Sequence, residues 1–172
     1  MSKREAAPGY LIYSQMNETK AKSLSIQLME VAEMAYLTTI DERGFPQTRA
    51  MENLRNKKRF PSLIDLFEAH KGDFRVLFGT HTSSAKVNQI KKNPAVSVYY
   101  CRPNEYCGLM LGGLMDVTTD ARLKEKVWQP GWKSYYSGGV DDPEFTILSL
   151  FPLRANYYQR RQICDFSLRG RE

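Results

Sequence analysis

The sequence has little of what a disulfide-bonded or metal-binding protein needs. It contains three cysteines, Cys101, Cys107 and Cys164, without a C-x-x-C pair, and two histidines, His70 and His81. A small odd number of cysteines argues against a disulfide framework, and common metal sites need more donors at fixed spacing. We therefore expect three free thiols and no metal site.

Long apolar runs are also absent. No run reaches the ~18 residues that span a bilayer, and the basic start MSKREAAPGY has no apolar segment of a signal peptide. These absences predict a cytoplasmic protein without membrane contact. No Ser-His-Asp or Cys-His set can be argued, so catalytic residues are not identified from the sequence.

The net charge of +6 comes from clusters of basic residues. One cluster is RNKKR at 55–59, a second is Lys91 and Lys92, and further arginines occupy the C-terminal tail. No nucleic-acid motif accompanies them, so a solvated basic surface is the favoured interpretation. Nucleic-acid binding is the weakest functional alternative, and we expect no such partner.

Hydrophobic periodicity predicts a mainly β domain with a few helices. A helix is predicted at 19–34 and another after THTSSAK, ended by Pro94, while Gly112-Gly113 predicts a bulge or a close approach of the backbone. Many strands with hairpin-like connections in one small domain indicate a barrel. The expected organisation is an N-terminal arm at 1–18, one domain at 19–166 and a tail at 167–172. The predicted strands are 35–40, 47–53, 74–79, 95–101, 109–118, 145–151 and 154–166.

Two segments could bind an anion. In GFPQTRAM, Arg49 follows a turn on a predicted strand, where a guanidinium can grip a phosphate with two bonds, although an exposed strand arginine is the more common case. In THTSSAK, a strand end, hydroxyl residues and a helix start carrying Lys86 follow one another. Free N–H groups at a helix start attract anions, and a bound phosphate would offset the conflict between Lys86 and the helix dipole.

Together these segments predict a phosphate site of an uncommon kind. A cation and a helix N-terminus could converge on one phosphate, yet neither G-x-x-x-x-G-K-[ST] nor G-x-G-x-x-G occurs. The segments TTIDERGFPQTRAM, FGTHTSSAKVNQIKKNPAVSVYY, GGLMDVTTD and YYSGGVDDPEFTILSLFPLRANYY stand in this order. In that order they resemble the pyridoxamine 5'-phosphate oxidase-like FMN-binding split barrels, in particular the small bacterial general-stress-protein-like branch, over about residues 20–160.

The resemblance implies a six-stranded Greek-key split barrel that dimerises with FMN at the interface. It implies that Arg49, Ser84 and Lys86 contact the phosphate side, that Thr80 ends the neighbouring strand, and that the backbone of Ala50 and Met51 follows the flavin ring. Trp132 and Tyr135 would form a wall contributed by the partner subunit.

The sequence also departs from the true oxidases. Leu54 and Ala85 stand where those enzymes carry a lysine and a second arginine, and the tail RRQICDF lacks their arginine–x–histidine element. The expected function is therefore an FMN-dependent oxidoreductase with an unknown substrate and electron donor. The alternatives are a carrier that binds flavin, haem or another planar ligand without turnover, and binding of a related flavin or deazaflavin in place of FMN.

Overall fold

The computed structural model describes residues 13–168, and it is mainly β with four α-helices and four short 3-10 helices in that part of the chain. Within these residues no helix is long and apolar enough to cross a membrane. The helices are α1 (Glu18–Val31), α2 (Ile64–Glu68), α3 (Ala85–Lys92) and α4 (Ala121–Val127). The strands are β1 (Ser14–Gln15), β2 (Met34–Ile40), β3 (Pro46–Glu52), β4 (Val76–His81), β5 (Ala95–Arg102), β6 (Cys107–Thr118), β7 (Phe145–Gln159) and β8 (Gln162–Ser167).

All eight strands belong to one sheet, in the order β1-β8-β7-β6-β5-β2-β3, with β4 paired to β7. The long strand β7 pairs with β4 through its first part and with β8 through its last part. The strand β3 is therefore the end of the sheet, and it lies in contact with β4. The sheet thus curls until β3, at its end, approaches β4, which is paired to β7.

The structure has eight strands in the described residues, not the six that we expected. One of the additional strands is β1, in the predicted arm, where Ser14 and Gln15 pair with β8 and Met16 is buried in the core. Residues 14–16 thus belong to the domain, whereas residues 1–12 and 169–172 of the predicted arm and tail lie outside the described part. The Greek-key description stays a prediction.

The boundary between the last two strands also differs from the prediction. The sequence predicted strands at 145–151 and 154–166, but β7 continues through Pro152 to Gln159. Proline lacks the N–H that a strand ladder needs. Pro152 is tolerated because it lies at the bulge between Gly112 and Gly113, which the sequence predicted, and between the parts of β7 that pair with β4 and β8.

Two apolar clusters stabilise the sheet. The first lies inside the curl, where α1 covers it, and includes Leu37, Val98 and Leu148. The second lies on the opposite face of β4 and β7, below α2 and α4, and includes Leu77 and Phe145. The two faces of β4 therefore have different surroundings, and Thr80 shares the face of the first cluster's Val76 and Phe78.

The basic segment 55–59 is only in part the solvated surface that we expected: Lys58 and Arg59 are exposed, whereas Arg55 and Lys57 are not. Arg55 is buried, its Nε and Nη2 donate to the carbonyls of Arg75 and His70, and its guanidinium lies over the Phe67 ring. Lys57 pairs with Glu30 and Glu68 at 3.0 and 2.9 Å, and Arg59 pairs with Glu52 at 3.3 Å. These three positive charges are therefore used within the domain.

Asn53, just before this segment, and Asn56, near its start, end the helix α1. The side-chain amide of Asn53 donates to the carbonyls of Met29 and Ala32 at 2.8 and 2.7 Å, and Asn56 donates to Ala32 at 3.0 Å. The last carbonyls of a helix have no partner inside it. Donors from a distant segment satisfy these carbonyls, so α1 stops at Val31, three residues before the predicted end.

Candidate functional site

The hairpin of β2 and β3 places Arg49. At its turn, Asp41 accepts hydrogen bonds from the backbone N–H groups of Arg43 and Phe45, and Gly44 adopts a positive φ of 85°. These bonds hold the pKa of the Asp41 carboxyl below its ordinary value, the bond from Phe45 having the largest effect. The turn fixes the register in which Arg49 lies opposite Leu37.

The guanidinium of Arg49 points across β2 towards α3. Its Nη1 donates to the Thr39 hydroxyl at 2.6 Å and to the Leu37 carbonyl at 3.3 Å, and its Nη2 donates to Gln89 Oε1 at 3.2 Å. Half-burial lowers the pKa of Arg49. Among residues 13–168 no carboxylate forms an ion pair with it. Its neutral partners position the charge and leave it uncompensated.

Lys86, in the first turn of α3, lies near Arg49. Its Nζ donates to the hydroxyl of Thr80 at 3.1 Å. Half-burial lowers the pKa of Lys86, and the positive charge of Arg49 lowers it further. The two predicted cations are therefore brought together, with like charges that repel each other. A doubly charged phosphate group between them would offset this repulsion.

The hydroxyl groups of THTSS have different partners. Thr80 accepts from Lys86, Thr82 donates to the carbonyl of Pro143 at 2.9 Å, and Ser83 donates to the carboxylate of Glu144 at 2.6 Å. Ser84 is the N-cap residue of α3, yet its side chain makes no capping bond. Its Oγ is buried and has no hydrogen-bond partner in the part of the chain that the structure describes.

A buried hydroxyl without a partner is rare, because a polar group that is removed from water loses its hydrogen bonds. The Ser84 hydroxyl lies at the start of a helix that also carries Lys86, where backbone N–H groups and the helix dipole favour an anion. An acceptor such as a phosphate oxygen would satisfy it. The residues present therefore fit the phosphate group of the predicted cofactor.

Ala50 and Met51 follow Arg49 on β3, at the end of the sheet. Met51 is buried opposite Ala35, and Ala50 is exposed opposite Tyr36 on the outer face. One edge of β3 pairs with β2, and its other edge has no strand partner in the described sheet. Backbone groups on that edge can bond to a flat ligand, as the resemblance implies for these residues.

The two aromatic residues of the predicted wall have different surroundings. Trp132 is 7% exposed and packs within its own chain in the second cluster. Its indole N–H donates to Glu52 Oε2 at 3.0 Å, and a Cβ added to Gly79 would lie 2.9 Å from its ring. Trp132 thus joins the end of β3 to β4. Tyr135 is 69% exposed. Of the two rings, that of Tyr135 is free to contact a ligand or a partner subunit.

Two residues of the site were not predicted from the sequence. Thr39 is fully buried, accepts from Arg49 and donates to Gln89 Oε1 at 2.5 Å, so both side chains hold the guanidinium in place. Gln89 lies three residues after Lys86, on the same face of α3. That spacing was the available signal in the sequence, whereas nothing in the sequence pointed to Thr39.

The histidines and cysteines do not form a second centre. His70 lies between Asp73 and Arg75, and His81 packs against the Tyr136 ring. Among residues 13–168 no group of three or more His, Cys, Asp or Glu side chains is placed to hold a metal ion. All three cysteines are free, as expected.

Comparison with known proteins identifies the family. The sequence model described as "Pyridoxamine 5'-phosphate oxidase like" matches residues 67–167, more than half of the chain. No curated protein matches the sequence.

Three solved structures share the fold. The first is a Clostridium acetobutylicum protein related to general stress protein 26 of Bacillus subtilis (pyridoxinephosphate oxidase family), with 28% identity and a TM-score of 0.70, covering 88% of this chain and 96% of that one. General stress protein 26 of Bacillus anthracis has 19% identity and a TM-score of 0.61, with coverage of 81% and 97%. An F420 reductase has 22% identity and a TM-score of 0.50, with coverage of 75% and 93%. The curled sheet fits the split barrel that the sequence predicts, and the chain belongs to the pyridoxamine 5'-phosphate oxidase-like family.

Proposed function

We propose that this protein is an FMN-binding oxidoreductase that works as a homodimer with flavin at the interface. The observation that carries the proposal is the unpartnered, buried hydroxyl of Ser84 beside the uncompensated cations Arg49 and Lys86. These three groups offer a phosphate one hydroxyl and two charged donors. Membership of the pyridoxamine 5'-phosphate oxidase-like family supports the same assignment.

In such a site the cofactor and the protein have separate roles. When bound, FMN supplies the capacity to accept and release a hydride or single electrons. Arg49, Ser84 and Lys86 bind its phosphate, and the free edge of β3 at Ala50 and Met51 orients its ring. No side chain has to act as an acid or base in the hydride step, which agrees with the lack of an identified catalytic set.

The homodimer is proposed because one chain provides only one wall of this site. β3 ends the sheet, and Tyr36 and Ala50 are exposed beside it on the outer face. A second subunit would cover the ring, and the exposed Tyr135 is available for that contact. Size-exclusion chromatography with light scattering should give about twice the chain mass of 19.8 kDa. A monomer that binds FMN at full strength would contradict the interface.

Pyridoxamine 5'-phosphate itself is not the substrate that we propose. Leu54 is buried in the second cluster, and Ala85 is exposed and uncharged, so neither position supplies the cation that the true oxidases carry. The phosphate site therefore has two cations rather than more. We expect no oxidation of pyridoxamine 5'-phosphate by the FMN-loaded protein.

A simple experiment tests the proposal. Purified protein, or protein mixed with FMN, should show flavin absorption that returns to that of free FMN on denaturation. Reduction by light or NAD(P)H, followed by reoxidation with candidate acceptors, then separates an enzyme from a carrier that does not turn over. Colourless protein that takes up neither FMN nor coenzyme F420 would overturn both functions. Preference for F420 would support a deazaflavin protein.

A further inference from the structure

A turn between the last helix and β7 is tied to the phosphate loop, which we define as residues 82–86. Asp142 closes this turn, because its carboxylate accepts from the backbone N–H groups of Gly138 and Glu144, both at 2.9 Å. These two bonds, that from Gly138 first, hold the pKa of the Asp142 carboxyl below its ordinary value. The closed turn presents Glu144 at the entry to β7.

Glu144 contacts the phosphate loop through both its side chain and its backbone. Its Oε2 accepts from the hydroxyl of Ser83 at 2.6 Å and from the backbone N–H of Ser83 at 3.2 Å. Its carbonyl accepts from the backbone N–H of Thr82 at 2.8 Å, and the Thr82 hydroxyl donates to the carbonyl of Pro143. Four bonds therefore join two adjacent loop residues to one turn.

The consequence of these bonds appears at the next residue. With Thr82 and Ser83 directed towards the turn, the Ser84 hydroxyl is the one in this stretch left without a partner among the described residues. Ser84 follows Ser83 directly and Lys86 follows two residues later, so the orientation of Ser83 affects where their donors point. A carboxylate beside a phosphate site would otherwise weaken anion binding by repulsion.

We propose that Glu144 is a positioning residue, which holds Ser83 so that Ser84 and Lys86 point at the phosphate of the ligand. The inference rests on the proposed function, since it concerns the same phosphate. It goes beyond that function by assigning a role to the D-D-P-E turn, which bonds to the phosphate loop at Thr82 and Ser83.

The geometry and simple electrostatics predict opposite results for Glu144→Ala. Loss of a negative charge alone should tighten FMN binding, whereas loss of the positioning contact should weaken it. We expect about fivefold weaker FMN binding, on the scale of the conformational freedom that the loop regains. Riboflavin has the same ring and no phosphate, so its affinity should not change.

The titration compares FMN and riboflavin, by flavin fluorescence, on the full-length parent and on five variants, of which Glu144→Ala is the first. Glu144→Gln should recover most of the FMN affinity, because its amide oxygen still accepts from Ser83. Ser83→Ala should weaken FMN, and Ser83→Ala with Glu144→Ala should be no weaker than Glu144→Ala alone. The matched control is Glu125→Ala, on the exposed face of α4, which should bind both flavins as the parent does.

The outcomes separate the two proposals. A parent protein that does not bind FMN overturns the proposed function and this inference with it. A parent that binds FMN, together with a Glu144→Ala variant that binds it equally well or more tightly, overturns this inference alone. Equal losses of FMN and riboflavin affinity would show general damage to the fold and would also overturn it.

Discussion

Replacement of Lys86 by alanine should affect ligand binding and stability in opposite directions. In the ligand-free protein Lys86 is half-buried and repelled by Arg49, and within residues 13–168 its ammonium bonds to the neutral hydroxyl of Thr80. Against a phosphate it would form a charge-assisted hydrogen bond. Its loss should cost ~1.5–3 kcal/mol of FMN binding, roughly a 10- to 150-fold rise in Kd.

The same replacement should stabilise the protein without FMN. Removal of Lys86 relieves both its desolvation and its repulsion by Arg49, and solvent screening of a half-exposed group limits the gain to a few tenths up to about 1 kcal/mol. Fluorescence titration measures the affinity, and urea denaturation of the ligand-free protein measures the free energy of unfolding. Lys91→Ala, in the last turn of the same helix, is the matched control.

The lowered pKa of Lys86 also makes the stability of the protein depend on pH. Because the folded state lowers the pKa of Lys86, the unfolded state binds more protons between that lowered value and the ordinary lysine value. The free energy of unfolding of the parent should therefore rise with pH across this alkaline window, and the contribution should vanish in Lys86→Ala. FMN affinity should fall over the same pH window, because Lys86 of the ligand-free protein loses its proton there. A Lys86→Ala variant that binds FMN as tightly as Lys91→Ala does would refute this reasoning. A Lys86→Ala variant that is clearly less stable than the parent would also refute it.

Three further replacements have defined outcomes. Ser84→Ala should weaken FMN about tenfold and leave riboflavin unchanged in the same titration, since a hydrogen bond from its hydroxyl to the charged phosphate is lost; equal effects on both flavins would contradict this. Gly79→Ala should lower the free energy of unfolding by about 1–3 kcal/mol, because the new Cβ would lie 2.9 Å from the Trp132 ring, and an unchanged urea midpoint would refute the contact. Asn53→Ala should destabilise by about 1–3 kcal/mol, since the carbonyl of Ala32 loses a donor; an unchanged midpoint would show that Asn56 or water suffices.

Local features of the fold were predictable because local chemistry determines them. The β2–β3 hairpin follows from its turn residues, the end of α3 from Pro94, and the bulge from two adjacent glycines. The approach of Arg49 and Lys86 to each other was predictable for a related reason: each residue belongs to one such local unit, and only their convergence required the fold.

Features that depend on distant contacts were not predictable. The end of α1 is set by Asn53 and Asn56, more than twenty residues further along the chain. Arg55, Lys57 and Arg59 in the 55–59 segment pair with carboxylates or carbonyls on other elements. The composition of the segment does not show these distant partners, so it suggested an exposed surface. Trp132 lies in a segment rich in Trp, Tyr and Gly that is typical of a ligand wall, yet its ring fills the space left by Gly79.

The use of charge near α3 connects these observations. Arg49 and Lys86 lie close to each other with neutral partners, while the carboxylate of Glu144 bonds to Ser83 and to neither cation among the described residues. A carboxylate paired with Lys86 would remove the repulsion and stabilise the ligand-free fold, but it would also occupy the donor that a phosphate needs. Directing Glu144 to Ser83 leaves that donor available and fixes the loop that carries it. Because position 85 is alanine, the site has two cations rather than three. The repulsion between cations in the ligand-free protein is therefore smaller.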